Sequence, residues 1–237
     1  MLFMVLFFPL AAGAYVLGTK IGGQVSCFML RSWAFLFSFF IGIVYKTPSK
    51  KKVHPHTPAV FVANHRSFLD TPAAYLSIPT VFKPLGKIEM QKAPFFGWFY
   101  PKVVIIVDRS SAASHRKSMA EMKKCLENGI SIFIFPEGTT NKSEETLTKF
   151  HDGAFRLAIE AQVPLIPLVI RNTANLLPPN KANVYPGLVT TQLLEPIPTL
   201  GLEKSDVAML KEKVYRQMEN KLEEAYEPNP VFSFSSF

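Results

Sequence analysis

The stretch Ala59-Val60-Phe61-Val62-Ala63-Asn64-His65-Arg66-Ser67-Phe68-Leu69-Asp70 changes character in its middle. Ala59–Ala63 is an apolar run bearing two β-branched valines and reads as a short buried strand. The polar run behind it cannot continue that strand, so His65 leaves it on a loop, where side chains reach ligands. Working outward, the pattern recurs. Val103–Val107, Ile130–Phe135 and Leu165–Ile170 read as buried strands, and amphipathic segments lie between them. Ser111–Asn128 reads as a helix stopped at Gly129, and Ala154–Ala161 as a helix before Val163-Pro164. A last helix runs from a cap at Ser205 to about Tyr226, and Val184–Leu194 adds one or two strands at an edge. Strands alternating with helices predict an α/β fold, a layered mixed sheet flanked by helices, over residues 59–226, with 227–237 as a tail.

Residues 1–45 are of another kind. They carry two charges, Lys20 and Arg31, and form two apolar stretches, Leu2–Leu17 and Val25–Tyr45, around the polar, Gly-rich interval Gly18–Gln24. As helices these stretches would be roughly 24 and 31 Å long, the second enough to cross a hydrocarbon core. Ala12-Gly13-Ala14 resembles a signal cleavage site, but Met1–Leu10 has no basic residue for an n-region. The aromatic residues Phe28, Trp33, Phe35, Phe37, Phe39 and Phe40 would point all round a helix, which argues against a buried soluble pair. The expectation is a membrane-associated helical hairpin. It leads into a basic linker, residues 46–58, whose Lys46 and Lys50-Lys51-Lys52 suit an anionic, cytoplasm-facing surface.

Composition narrows the function. At 48% hydrophobic and 19% charged residues the 237-residue chain is too apolar for disorder. A net charge of +8 favours an anionic partner, and the apolar arm favours a lipid surface over nucleic acid. Cys27 and Cys125 make neither a zinc cluster nor a disulfide scaffold. No G-x-S-x-G elbow, H-E-x-x-H, paired C-x-x-C or Walker loop is present, so the sequence calls for no cofactor and no metal.

Two constellations carry chemistry. His65 and Asp70 are five positions apart, too far round a continuous helix to meet. They meet if His65 precedes a helix and Asp70 occupies its first turn. A carboxylate on one imidazole nitrogen then fixes the tautomer and leaves the other nitrogen to take a proton. Ser67-x-x-Asp70 is equally a capping box, in which the acid merely serves the helix start. The strand Ile130–Phe135 runs into Pro136-Glu137-Gly138-Thr139-Thr140, where Gly138 permits a tight approach and the neighbouring N–H and hydroxyl groups can meet phosphate oxygens. Glu137 could orient a substrate hydroxyl or a loop, and an ordinary turn is the alternative.

Together these blocks resemble the 1-acylglycerol-3-phosphate acyltransferase family of glycerolipid acyltransferases. Asn64-His65-Arg66-Ser67-x-x-Asp70 resembles its N-H-x-S-x-x-D block, and Phe135-Pro136-Glu137-Gly138-Thr139 its F-P-E-G-T block. Lys87-Ile88-Glu89-Met90, Pro94-Phe95-Phe96-Gly97-Trp98 and Val107-Asp108-Arg109-Ser110 resemble the middle block, and Val163-Pro164-Leu165-Ile166-Pro167 the fourth. The resemblance implies a glycerolipid-acyltransferase-like fold and a cell-membrane enzyme of phospholipid biosynthesis whose catalytic domain faces the cytoplasm. Such an enzyme moves a fatty acyl group from acyl-CoA or acyl carrier protein to the sn-2 hydroxyl of lysophosphatidic acid, giving phosphatidic acid. Another lysophospholipid or glycerol 3-phosphate is the alternative acceptor. By the same resemblance His65 is the base and Asp70 its orienter, Lys87 and Arg109 hold the phosphate, and Glu137, Gly138 and Thr139 form the acceptor-site loop. Two positions depart from the family pattern: Thr140 stands where Arg is common, and Val103 where Gly is. Lys142 or Lys149 could replace the missing charge.

Overall fold

A computed structural model describes residues 7, 9–11, 13–47, 57–92, 96–108, 111–179 and 183–224. In chain order the elements are α1 (Thr19–Phe40), β1 (Ile43–Lys46), β2 (Val60–Ala63), α2 (Asp70–Ser77), β3 (Phe82–Lys87), α3 (Phe96–Val103), β4 (Ile105–Val107), α4 (Ala112–Glu127), β5 (Ser131–Ile134), α5 (Gly153–Ala161), β6 (Leu165–Arg171), α6 (Thr173–Leu176), β7 (Gly187–Leu193) and α7 (Val207–Glu223). The strands form one seven-stranded sheet in the order β1-β7-β6-β2-β5-β3-β4. All neighbours are parallel except β6 and β7, so the sheet is mixed, as the sequence predicts.

The centre of the sheet explains its apolar strands. β2 lies between β5 and β6 and is buried along its whole length, as a two-sided parallel strand must be. Phe61, Ala63, Phe133, Ile166 and Leu168 pack into the core beneath α1 and α2. Val60, Val62, Ile132, Ile134 and Val169 face the other way, onto α4, α5 and α7. The side-chain alternation of a strand thus builds two cores from one short sequence. The helices of the second layer match their sequence reading closely. Ser111 caps α4 by accepting from the Ser114 N–H, and Asn128 and Gly129 (φ 77°) end it.

The differences from expectation have physical causes. β7 is not an edge strand: β1 pairs outside it, Ile43 beside Gly187, and takes the edge. β1 comes from the end of the apolar stretch Val25–Tyr45, so the sheet begins at residue 43 rather than 59. β3 was not anticipated, because Pro84 and Gly86 lower strand propensity within it. Val103 ends α3 instead of starting β4. The cap before α7 is not Ser205 but a reciprocal pair, Glu203 and Asp206, across the short turn Lys204–Asp206, and α7 ends at Glu223. The tail 227–237 and Lys50–Lys52 lie outside the described residues.

The arm differs most. Its main helix starts at Thr19, inside the interval taken as a break, after Gly18 turns the chain with φ 87°. The aromatic residues of α1 divide into two sides rather than pointing evenly all round. Trp33 and Ala34 are buried against the body, whereas Phe28, Phe35, Phe39 and Phe40 are exposed. Arg31 donates to the carbonyl oxygens of Tyr75, Ile78 and Thr80 at 3.2, 2.6 and 2.9 Å, the partner its apolar setting demands. Among the described residues no helix is long and apolar enough to cross a membrane, so a spanning hairpin finds no support there.

Candidate active site

His65 stands where β2 ends, and the structure fixes it from every side. Asn64, just before it, exchanges two hydrogen bonds with the backbone of Ile170, its Nδ2 donating at 2.7 Å and its Oδ1 accepting at 2.8 Å. This side chain continues the β2–β6 ladder by one step, so the loop leaves the sheet at a defined angle. The His65 N–H donates to Glu137 Oε1 at 2.7 Å, and the His65 carbonyl accepts from the Asn141 N–H at 2.7 Å. The imidazole stacks on Phe135, centroids 3.9 Å apart and planes within 13°.

Asp70 opens α2, as the spacing requires, and its carboxylate is fully buried. Its Oδ2 accepts from His65 Nδ1 at 2.9 Å and from the Arg66 and Ser67 N–H groups, each at 2.7 Å. One oxygen thus orients the imidazole and holds the turn that carries it; of the capping box only the Asp70 half is made, since the Ser67 hydroxyl donates to the Leu177 carbonyl and accepts from the Leu69 N–H. A carboxylate only accepts, so the proton of this bond belongs to Nδ1 and Nε2 keeps a lone pair. The Thr140 hydroxyl lies 3.2 Å from Nε2 and donates to it. That hydroxyl occupies the hydrogen-bonding position in front of Nε2.

Nε2 faces a cavity of about 610 Å³. Trp33, Phe68, Tyr75 and Tyr100 supply aromatic wall, Lys87 and Lys142 supply charge, and Gly138, Thr139 and Thr140 supply the loop. Gly138 turns with φ 75°, a conformation that favours glycine. Lys87 Nζ donates to Thr139 Oγ1 at 3.3 Å, bringing β3 and the loop together. Lys142 lines the cavity and Lys149 does not, so of the two candidate replacements for the missing arginine only Lys142 is placed to act. Arg109 lies outside the described residues. Tyr100 crosses close over Gly86, where any Cβ would collide with its hydroxyl, and burial pushes its pKa up to about 12.

Glu137 is engaged by the protein itself. Its carboxylate is buried, with Oε1 on the His65 N–H and Oε2 on the N–H and hydroxyl of Thr148 at 3.0 and 2.6 Å. Both oxygens hold loops, one of the two roles the sequence offers. Asn141 completes the clamp by accepting from Ser143 and donating to the Glu145 carbonyl. Sequence reasoning missed Thr148 and Asn141, because neither sits in a recognisable pattern. The sequence offers Thr140 as a loop hydroxyl for phosphate and as a lost charge, not as a neighbour of His65. Burial pushes both cysteine thiols up, the reverse of an activated thiolate.

An α/β fold carrying an oriented imidazole over a basic, aromatic-walled cavity has the parts of an enzyme that works on a hydroxyl. The chain belongs to the Acyltransferase family, whose model matches residues 46–171. It is similar to the 1-acyl-sn-glycerol-3-phosphate acyltransferase of Salmonella typhimurium, 35% identical over 70% of this chain and 67% of that one. It is 30% identical to the Saccharomyces cerevisiae protein of the same name, over 91% and 73% of the two chains. The human 1-acyl-sn-glycerol-3-phosphate acyltransferase beta is 30% identical over 77% of this chain and 66% of its own. In three dimensions the protein superposes on the crystal structure of the LPA acyltransferase PlsC from Thermotoga maritima with a TM-score of 0.73. That match covers 94% and 95% of the two chains at 19% identity, a likeness of fold.

Proposed function

We propose that this protein transfers a fatty acyl group from a thioester to the sn-2 hydroxyl of 1-acylglycerol 3-phosphate, giving phosphatidic acid. The observation that carries this reading is Nε2 of His65, oriented by Asp70 and open to a cavity with cations on one side and aromatic rings on the other. The acceptor hydroxyl displaces that of Thr140, gives its proton to Nε2, and its oxygen attacks the thioester carbonyl. The carbon–sulfur bond breaks, and the imidazolium returns the proton to the departing thiolate. No covalent acyl-enzyme is required. Lys87 and Lys142, with Arg109, bind the acceptor phosphate by charge-assisted hydrogen bonds.

The exposed phenylalanines of α1 rest in one leaflet of the cell membrane on its cytoplasmic side, where a single-chain acceptor resides. Trp33 supports this, since the helix that bears the exposed rings also walls the cavity. Purified protein in lipid, given labelled acyl-CoA or acyl carrier protein and a panel of lysolipids and glycerol 3-phosphate, tests the reaction. The expected result is transfer to lysophosphatidate above the other acceptors; equal use of uncharged lysolipids refutes the phosphate reading. Replacing Phe28, Phe35, Phe39 and Phe40 with Ser should release the protein from vesicles with its fold intact.

A further inference from the structure

A second cavity, of about 850 Å³, lies in the layer opposite α1, between α4 and α5. Resting on the acyl-transfer reading above, we propose that this cavity docks the nucleotide end of a coenzyme A thioester. The donor then reaches His65 through a slot in the sheet.

The slot is a consequence of strand pairing. β3 pairs with β5 only from Phe82 to Pro84, opposite Ser131–Phe133. From Leu85 to Lys87 it pairs with β4 instead, so β3 and β5 part just before the loop that holds Gly138. Pro84, at the point of parting, has no N–H with which to continue a ladder. Leu85, Ile134, Phe135 and Gly138 line both cavities, and Phe135 is the ring beneath the catalytic imidazole. A chain passing between these residues arrives beside Nε2 from the face away from the aromatic arm.

The rim gives the chemistry of the occupant. Arg116, Lys123 and Arg156 line the cavity with His115 and His151, and none of these three cations is hydrogen-bonded or ion-paired to a described residue. The carboxylates in the same lining are Asp152 and Glu160. Asp152 pairs with Lys211 at 2.6 Å and also feels the charge of Arg156, and Glu160 lies 4.0 Å from Lys204, so most of their charge is met from α7 and the short turn before it. Met119, Met122 and Ala154 form an apolar floor. Cations with no direct carboxylate bond, over an apolar floor, suit a pyrophosphate, a second phosphate and a stacked base. The volume is that of a small-molecule site. A carrier protein would leave its bulk outside and insert only a thin arm, for which so roomy a recess is unnecessary. Approach from this layer also lets a highly charged donor stay in water while the acceptor stays in lipid.

The test uses the full-length protein with Arg116→Glu and Arg156→Glu combined, both residues being exposed and away from His65. KM for acyl-CoA should rise roughly tenfold or more, while kcat and KM for lysophosphatidate change by less than about twofold. The Lys variants at the same two positions should restore donor affinity. An unchanged donor KM overturns the proposal. A larger effect on lysophosphatidate, or loss of transfer from acyl carrier protein but not from acyl-CoA, overturns it too. Calorimetric binding of coenzyme A to His65→Ala protein reads the same cavity without turnover. If the wild-type protein transfers no acyl group yet binding remains sensitive to charge reversal, the acyl-transfer reading falls and the nucleotide dock stands.

Discussion

His65 and Lys87 face the same cavity, yet very different amounts of structure hold them. The histidine is fixed through its N–H, its carbonyl, its ring nitrogen and its ring face, by Glu137, Asn141, Asp70 and Phe135. The lysine is exposed and meets the loop through one 3.3 Å bond to Thr139. A base must present a lone pair within a fraction of an ångström of its proton, so its surroundings are over-determined. A phosphate is held by charge, which falls off slowly with distance and tolerates a moving ammonium. On the proposed reading, catalysis is built into the sheet and acceptor affinity is added at its margin.

Removing the base breaks the comparison most sharply. His65→Ala should lower kcat on the order of 10⁴-fold, and Asp70→Asn about 10²-fold, with both proteins still folded by circular dichroism. Because Asp70 also holds the Arg66 and Ser67 N–H groups, its variant should melt earlier as well. A lower melting temperature with unchanged kcat would leave it a structural residue alone. Next in size, Glu137→Gln should cut kcat about tenfold with little change in KM, since an amide disturbs the clamp between the His65 and Thr148 loops. A rise in KM for lysophosphatidate at constant kcat would instead place Glu137 on the substrate.

Lys87→Ala and Lys142→Ala should each raise KM for lysophosphatidate about three- to tenfold at constant kcat, less at high salt. A fall in kcat alone would mean that the margin positions the reaction. The smallest effect belongs to Thr140→Val, which should change kcat less than about threefold, because the acceptor displaces that hydroxyl. A loss comparable to that of Asp70→Asn would make the Thr140 hydroxyl part of the proton path.

The same contrast explains what was legible in the sequence. His65 and Asp70 are close along the chain, and the contacts joining them are local, so their spacing revealed both the pair and the helix start. The apolar strands β2, β5 and β6 declared themselves through burial on both faces. Glu137 was legible as a motif residue with a loop-orienting role open to it, but its partner Thr148 was not, because that residue is recruited from a loop without periodicity. β1 was hidden because a parallel edge strand and a continuing apolar helix look alike when the partner is as distant as Gly187. The second cavity could not be foreseen, since it depends on where two neighbouring strands stop pairing.

β1 also sets an order of events during synthesis. Although it is made early, its one neighbour in the sheet among the described residues is β7, so it has no place to dock there until Gly187–Leu193 has left the ribosome. β2, in the middle, must itself wait for β5 and β6. Such long-range parallel pairing is slow to form. Until it does, α1 is exposed as a nascent apolar segment, and its first durable surroundings are whatever the cell offers it, chaperone or lipid, before the body that finally holds Arg31 exists.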